Sequence, residues 1–329
     1  MEYLKHVTRR TKVGVSSMKA SIYKIEGDLY LIDLPQKLRG FRKFISSWVL
    51  KDGRSALIVD VGPASTIRLL KEALDQLGVE KVEYVLLTHI HIDHAGGIGH
   101  FVELYPDAKV VVNERGEKHL MDPTRLWEAS KKVLGELAYV YGEIRPVPAE
   151  NIYKGEVTFS GMDVGIIPTP GHAPHHQGYI LGEYLFTGDS TGIFLELDDG
   201  IYLRPATPPR FVKELYEESL DKMFEVGRKK ICFAHFRMYE DSKKLIKMHK
   251  EQINMWISIV REVMHEYPEE EVSKVLDIVK ERLLEKDKLF ANYLKLDEDI
   301  KEREEHFTKN SLMGIYNYLK TLESSHGSI

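Results

Sequence analysis

Thr88-His89-Ile90-His91-Ile92-Asp93-His94 is the stretch on which the reading of this chain turns. It follows Tyr84-Val85-Leu86-Leu87, an apolar run that reads as a buried strand. His89, His91, Asp93 and His94 therefore stand on a loop held by a strand end, and loops on rigid scaffolds carry most reacting groups. Imidazole and carboxylate are good ligands for zinc and similar ions. Packed this closely, the four cannot all face one ion comfortably, and two neighbouring ions use them better. A single histidine here would be an ordinary solvated loop residue, but the density of the cluster argues for a metal loop.

Working outward, three more strand ends carry metal-competent side chains. Pro170-Gly171-His172 follows Val164 to Ile167, Gly188-Asp189 follows Tyr184 to Thr187, and His235 follows Ile231 to Ala234. Upstream, Leu57-Ile58-Val59 runs into Asp60 and then a Gly-Pro turn. Gly27-Asp28 and Asp52-Gly53 each sit between two strand-like runs, the mark of a hairpin. Ser65 is placed to cap a helix through Leu77, with Gly78 as its stop. Residues 114–141 read as helical, and Thr207-Pro208-Pro209 reads as the opening of a helix that ends near Gly227. Beyond residue 240 only helical patterns remain, at 241–266, 269–290 and 298–322. The expectation is an α+β fold of two packed sheets with helices outside them, spanning 1–239, followed by an all-helical extension, 240–329.

Composition bounds the function. With 329 residues, 43% hydrophobic and 29% charged, the chain reads as globular. A net charge of -5 argues against a general polyanion binder, so nucleic acid is not an expected partner. No run reaches the length needed to span a bilayer, and no membrane association is expected. Lys5, Arg9, Arg10, Lys12 and Lys19 break up the start, so no signal peptide is expected there. Cys232 is the single cysteine, which excludes an intrachain disulfide and fits a reduced, cytoplasmic setting. Lys243, Lys244, Lys247 and Lys250 read as a solvated helix face. Trp256, Tyr293, Tyr316 and Tyr318 are read as exposed aromatics suited to a homodimer interface.

The order of these elements, H-x-H-x-D-H, then G-H, then Asp, then a final His, with Asp60 ahead of them, resembles the metallo-β-lactamase-fold hydrolase superfamily over residues 20–240. The resemblance implies an αββα four-layer sandwich. It also implies two divalent metal ions, zinc in the first instance, with iron or manganese able to occupy the same ligand set. By the family pattern His89, His91 and His172 hold one ion, Asp93, His94 and His235 hold the other, and Asp189 bridges them. Asp60 orients the ligand loop from behind, and His176 is likewise an outer residue rather than a ligand. Two divalent ions outweigh the charge of Asp93, Asp189 and a bridging hydroxide. The centre thus stays positive and favours hydroxide attack on a carbonyl or phosphorus atom.

Thr169-Pro170-Gly171-His172-Ala173-Pro174-His175-His176 and His91 to Gly97 are similar to the glyoxalase II and lactonase branch. The branch implies a small-molecule ester, thioester or lactone as substrate, and the helical extension is the size of the glyoxalase II C-terminal domain. His175 stands where that branch has Gly. Ser190 to Phe194 stands where lactonases carry a Tyr, which argues against a lactone specialist. Loops near 35–45, 115–145 and 192–210 are expected to shape the pocket. Three alternatives belong to other classes. One is an oxidoreductase like the persulfide dioxygenases, with a single iron on the first three His and Asp189. Another is a ribonuclease of the same fold, since Ala234 to Tyr239 is similar to the last motif of the tRNA-processing members. The third is a non-enzymatic binding module, which the complete ligand set opposes.

Overall fold

The computed structural model describes residues 18–326, so the signal-peptide reading of the first residues lies outside the described part. The chain opens with β1 (Ser21–Glu26), β2 (Leu29–Asp33), β3 (Ser46–Asp52) and β4 (Ser55–Val59). Helix α1 (Ile67–Gln76), β5 (Lys81–Leu86), α2 (Ile98–Leu104) and β6 (Lys109–Val111) follow. The six strands form one sheet in sequence order, antiparallel up to β4 and parallel from β4 through β6. Three short helices, α3 (Glu114–Met121), α4 (Thr124–Leu134) and α5 (Glu136–Tyr141), lead to the second half.

There β7 (Thr158–Phe159), β8 (Met162–Pro168), β9 (Gln177–Leu181) and β10 (Tyr184–Gly188) are followed by a separate hairpin, β11 (Ile193–Leu197) with β12 (Gly200–Arg204). Helix α6 (Lys213–Glu225), β13 (Lys230–Phe233) and β14 (Met238–Tyr239) complete this half. The second sheet runs β14-β13-β10-β9-β8-β7, and its β10–β13 pair is parallel. The tail is α7 (Ser242–Glu266), α8 (Val272–Lys286) and α9 (Glu298–His326). Asp241 starts it by accepting a hydrogen bond from the Lys244 amide, an N-cap.

Strand periodicity explains the layering. In β4, Leu57 and Val59 point toward the other sheet, into one apolar cluster with Tyr179, Leu181 and Phe186. Ala56 and Ile58 point the opposite way, into a second cluster with Leu70, Leu74, Phe101 and Leu137 from the outer helices. A strand buried on both faces reads as an unbroken apolar run, which is why Leu57-Ile58-Val59 and Tyr84 to Leu87 stood out in the sequence. The first cluster continues into the tail through Leu245, Trp256, Val260, Leu276 and Leu312. Helices thus flank two packed sheets, and a helical region follows.

Four readings need correction. Thr207-Pro208-Pro209 opens no helix, because α6 starts at Lys213 and the Thr207 hydroxyl donates instead to the Ser311 carbonyl in the tail. Residues 192–210 are not all loop, since the β11–β12 hairpin lies within them, with Phe194 stacked on Phe233. Ser65 does not cap α1. Its hydroxyl donates to Gln36, and a 3-10 turn at Ala64–Thr66 precedes the helix. Trp256 and Tyr293 are buried, so neither offers an exposed interface. The Trp256 indole N–H donates to the Asp287 carboxylate at 2.7 Å and its ring meets Phe290 edge-on.

The tail joins the sandwich through a saturated buried polar chain. Tyr216 Oη donates to His249 Nε2 (2.7 Å), and His249 Nδ1 donates to Gln252 Oε1 (3.2 Å). Gln252 Nε2 in turn donates to the Leu203 carbonyl and to Asp287 Oδ2. These bonds fix His249 as the neutral Nδ1–H tautomer, and burial pushes its pKa down to about 4. The unfolded chain binds a proton near pH 6.5 where the fold does not. The stability this histidine contributes is therefore present above about pH 6.5 and falls as pH drops toward 4, by about 3 kcal/mol in all. Urea unfolding of a His249→Gln variant should show a correspondingly shallower loss over that window. An unchanged pH slope would contradict a neutral buried imidazole.

Candidate metal centre

Two parallel strand pairs place the site. Val59 lies opposite Leu86 across β4–β5, so Asp60 and Thr88 emerge side by side at the carboxyl ends of those strands. Gly188 lies opposite Phe233 across β10–β13, so Asp189 and His235 emerge together from the second sheet. The two rims are tied to each other. The Gln177 amide donates to the Thr88 carbonyl, and Tyr179 Oη donates to the Leu87 carbonyl. All four strand ends thus open at one rim.

The structure brings the seven candidate ligands together there. Within 4.8 Å of one another lie donor atoms of His89, His91 and His172, and separately those of Asp93, His94 and His235. A third group joins one member of each triad, His89 and His94, to Asp189. Asp189 faces both ways. Its Oδ1 is 3.2 Å from His235 Nε2 and 3.3 Å from His94 Nε2, while its Oδ2 is 3.5 Å from His172 Nε2. His91 points Nδ1 inward, 3.0 Å from His89 Nε2 and 3.2 Å from His172 Nε2.

The outward nitrogens explain the inward lone pairs. His172 Nδ1 donates to the Ala206 carbonyl (2.9 Å) and His235 Nδ1 to the Phe44 carbonyl (3.1 Å). A carbonyl only accepts, so both rings carry hydrogen on Nδ1 and leave Nε2 free. Asp60 does the same work for two more rings. It accepts from the Thr88 amide (2.8 Å), from Thr88 Oγ1 (2.8 Å) and from His94 Nδ1 (3.0 Å). Having given its proton to Asp60, the Thr88 hydroxyl accepts from His89 Nδ1 at 3.1 Å. Four imidazoles thus turn a lone pair toward one point, the arrangement that outer partners impose on metal-binding histidines.

His176 is engaged elsewhere. Its Nε2 accepts from the Asp189 amide (3.2 Å), and its Nδ1 side meets Thr169 Oγ1 (2.7 Å) and Ser190 Oγ (3.0 Å). Gly188 makes room for this contact. Its φ is +52°, and a Cβ there would stand 2.4 Å from His176 Nε2. His175 is half-buried and lies near the Ile90 amide.

Electrostatics supports a cation at this point. Burial, then the neighbouring imidazoles, holds His89 and His91 well below their ordinary pKa, so both are neutral as a ligand requires. Burial opposes charge on His94 as well, but Asp189, Asp93 and Asp60 outweigh it and lift its pKa to about 10. Burial would also favour a neutral Asp189, yet His235, His94 and His172 hold it well below the usual carboxylate range. With Nδ1 committed to Asp60, Nε2 is the His94 atom that faces the centre, 3.3 Å from Asp189 Oδ1. His94 Nε2 and Asp189 Oδ1 are also buried with no hydrogen-bond partner, despite their closeness. Such orphaned groups are rare and costly, and a divalent cation between them satisfies both. The donor set therefore fits metal ions.

The sequence profile of the metallo-beta-lactamase superfamily matches residues 40–235. The chain belongs to the metallo-beta-lactamase superfamily. Metallo-beta-lactamase fold-containing protein ST1585 of Sulfurisphaera tokodaii is 31% identical over 221 residues, 65% of this chain and 80% of its own. The crystal structure of ST1585 from Sulfolobus tokodaii superposes with a TM-score of 0.57 at 30% identity, covering 68% of this chain and 86% of that one. The metallo-beta-lactamase family protein TTHA1429 from Thermus thermophilus shares the fold at 18% identity, with a TM-score of 0.62 over 90% of this chain and 94% of its own. An atrochrysone carboxyl ACP thioesterase of Passalora fulva is 30% identical over 154 residues, 44% of this chain and 37% of its own.

Thr88, next to His89 in the chain, and the Phe44 and Ala206 carbonyls lie outside the set of site residues expected from the sequence. The Thr-His pair was a usable signal, whereas a backbone acceptor leaves none in the residue type. Replacing Thr88 by Val keeps the shape but removes the acceptor for His89 Nδ1. Metal affinity, measured by competition with a chromophoric chelator, should fall by roughly tenfold or more. Unchanged affinity would mean that Thr88 does not fix the His89 ring.

Proposed function

We propose that this member of the superfamily is a metal-dependent hydrolase that cleaves a small-molecule ester, thioester or lactone at a two-metal centre. The observation that carries the reading is Asp189, which turns one oxygen to each histidine group while Oδ1 lacks any hydrogen bond. In this reading His89, His91 and His172 would hold one ion, Asp93, His94 and His235 would hold the other, and Asp189 would be shared between them. Zinc suits the donor set, and iron or manganese can use it too. Two such ions would supply an acidified water and polarise the substrate carbonyl.

The chain's own residues do the rest. His89, His94, His172 and His235 are locked by Thr88, Asp60, Ala206 and Phe44, so the donor set needs little rearrangement during the reaction. The side chain of Asp93 is 21% exposed, more than that of Asp189, and it marks the mouth together with half-buried His91. Asp93 turns Oδ2 to His94 and His235, and its other carboxylate oxygen would be the one to take the proton of the attacking water and return it to the leaving oxygen or sulfur. His175 at the same mouth adds a polar contact for substrate. The relative named as a thioesterase supports a carbonyl substrate. The acidic net charge gives a polyanion little to bind. Residues 1–239 are read as the catalytic unit and 240–329 as its helical extension, in a protein of the cytoplasm. Among the described residues no helix is long and apolar enough to cross a membrane.

A hydrolysis panel of lactones, thioesters and phosphodiesters, run with metal quantitation, tests this reading. The expected result is two ions per chain and cleavage of a carbonyl substrate. Asp189→Ala should lower turnover by about 100- to 1,000-fold. One iron per chain with oxygen consumption would replace the hydrolase by an oxidoreductase. Activity on phosphodiesters alone would favour the nuclease.

A further inference from the structure

Two backbone carbonyls orient two of the inward histidines, and both lie on segments that α9 grips. We propose that α9 is a two-ended clamp on the metal centre: Arg303 fixes the Phe44 carbonyl behind His235, while Ser311 and Gly314 fix the Ala206 carbonyl behind His172. The tail would thereby set the affinity of both ion positions. This rests on the two-metal reading above and assigns the helical extension a role within it.

At the first end, Arg303 is fully buried. Its Nη1 donates to the Gly40 carbonyl (2.8 Å) and the Arg42 carbonyl (3.0 Å), and its Nε donates to Glu304 Oε1 (2.9 Å). The guanidinium lies 4.2 Å from the centre of the Phe44 ring, whose other neighbours include His235 at 4.4 Å and Phe307 at 5.2 Å. Phe44 therefore touches His235 twice, by its ring and by the carbonyl that accepts from Nδ1. Asp33 holds the same loop by accepting from the Lys43 amide. Arg39–Glu302 and Arg42–Asp299 add ion pairs outside, but partly exposed pairs of this kind contribute little. The buried fork of Arg303 is the discriminating contact.

At the second end, Ala206 lies between two residues bound to α9. Ser311 Oγ donates to the Pro205 carbonyl (3.0 Å), and Thr207 Oγ1 donates to the Ser311 carbonyl (2.6 Å). Gly314 lets the helix backbone come this close, since a Cβ there would stand 2.4 Å from the Pro208 carbonyl oxygen. Between the ends, Glu304 accepts from Arg204 Nε (2.5 Å) and Tyr202 Oη (3.0 Å), fastening β12 to the helix. Arg303 and Gly314 are separated by about 16 Å of rigid helix, so one element spans both halves of the centre. Arg303, Ser311 and Gly314 are positioning residues, since they act through carbonyls and not on substrate.

Zinc titration of chelator-stripped full-length protein, with melting temperatures measured alongside, tests the clamp. The wild type should take up two ions. Arg303→Met keeps the apolar stem and should weaken one ion by roughly 10- to 100-fold while sparing the other. Arg303→Lys keeps the charge without the fork, folds under milder strain, and should show a smaller loss at the same ion. Gly314→Ala should weaken the opposite ion. Leu283→Ala, in the tail core, should lower the melting temperature and leave both affinities unchanged. The clamp is overturned if the Arg303 and Gly314 variants titrate like the wild type. It is equally overturned if Leu283→Ala weakens binding as much as they do, because the tail would then be mere packing. Fewer than two ions on the wild type is a separate result, which sinks the two-metal reading itself.

Discussion

Asp60 sits at the end of β4 with φ at +54°, in the left-handed region that costs free energy for a residue with a side chain. Three hydrogen bonds, from the Thr88 amide, Thr88 Oγ1 and His94 Nδ1, over-determine that conformation. In exchange the carboxylate sets the tautomer of His94 directly and that of His89 through Thr88. The arrangement requires β4 and β5 to pair in parallel and in this register. A slip of one residue would send the Asp60 and Thr88 side chains to opposite faces and break the relay. The sheet order is therefore not a neutral scaffold. It is the condition under which one buried carboxylate at the end of β4 can reach two imidazoles on the loop after β5.

The same cluster is unfavourable by itself. His89, His91, His172 and His176 crowd together with Asp189 in one largely buried cluster, and two inward atoms lack partners. A buried unpaired donor or acceptor costs on the order of 1–3 kcal/mol, more when charged. Without a cation, the carboxylate of Asp189 beside His94 favours the protonated imidazole and so offsets part of this. Cation binding and the loss of that proton are one linked equilibrium, so folding stability and metal affinity are coupled in this chain. The outer hydrogen bonds matter for the same reason. They keep lone pairs convergent in a place where the rings repel one another's protonation.

The metal-competent side chains were legible in the sequence because each stands just past an apolar run, where residue type and position point the same way. The layers were legible because period-2 alternation and doubly buried strands leave distinct patterns. What escaped is decided by long-range contact. Thr207-Pro208-Pro209 has the local chemistry of a helix start, but the Thr207 hydroxyl finds Ser311, far along the chain, and the helix begins at Lys213. Ser65 is drawn from α1 to Gln36 in the same way. The Phe44 and Ala206 carbonyls are invisible in principle, since every residue has one. Trp256 looked exposed because its indole partner, Asp287, lies in the next helix.

Helical periodicity also misplaces the charges of α9. Arg303 and Glu304 are adjacent, and neighbours on a helix cannot share one narrow face. A single amphipathic stripe would leave at least one of them in water. Both are fully buried because α9 is covered from two directions, by residues 40–44 on one side and by β12 with residues 205–208 on the other. Burying such a group as Arg204–Glu304–Arg303 is seldom the most stable solution, since apolar residues of similar volume often serve stability as well or better. Apolar side chains, however, cannot hold a carbonyl in place. The fork of Arg303 can, and the Gly40 and Arg42 carbonyls it grips lie just ahead of the Phe44 carbonyl that aligns His235. A stability cost spread through the tail is then consistent with geometric control at the rim.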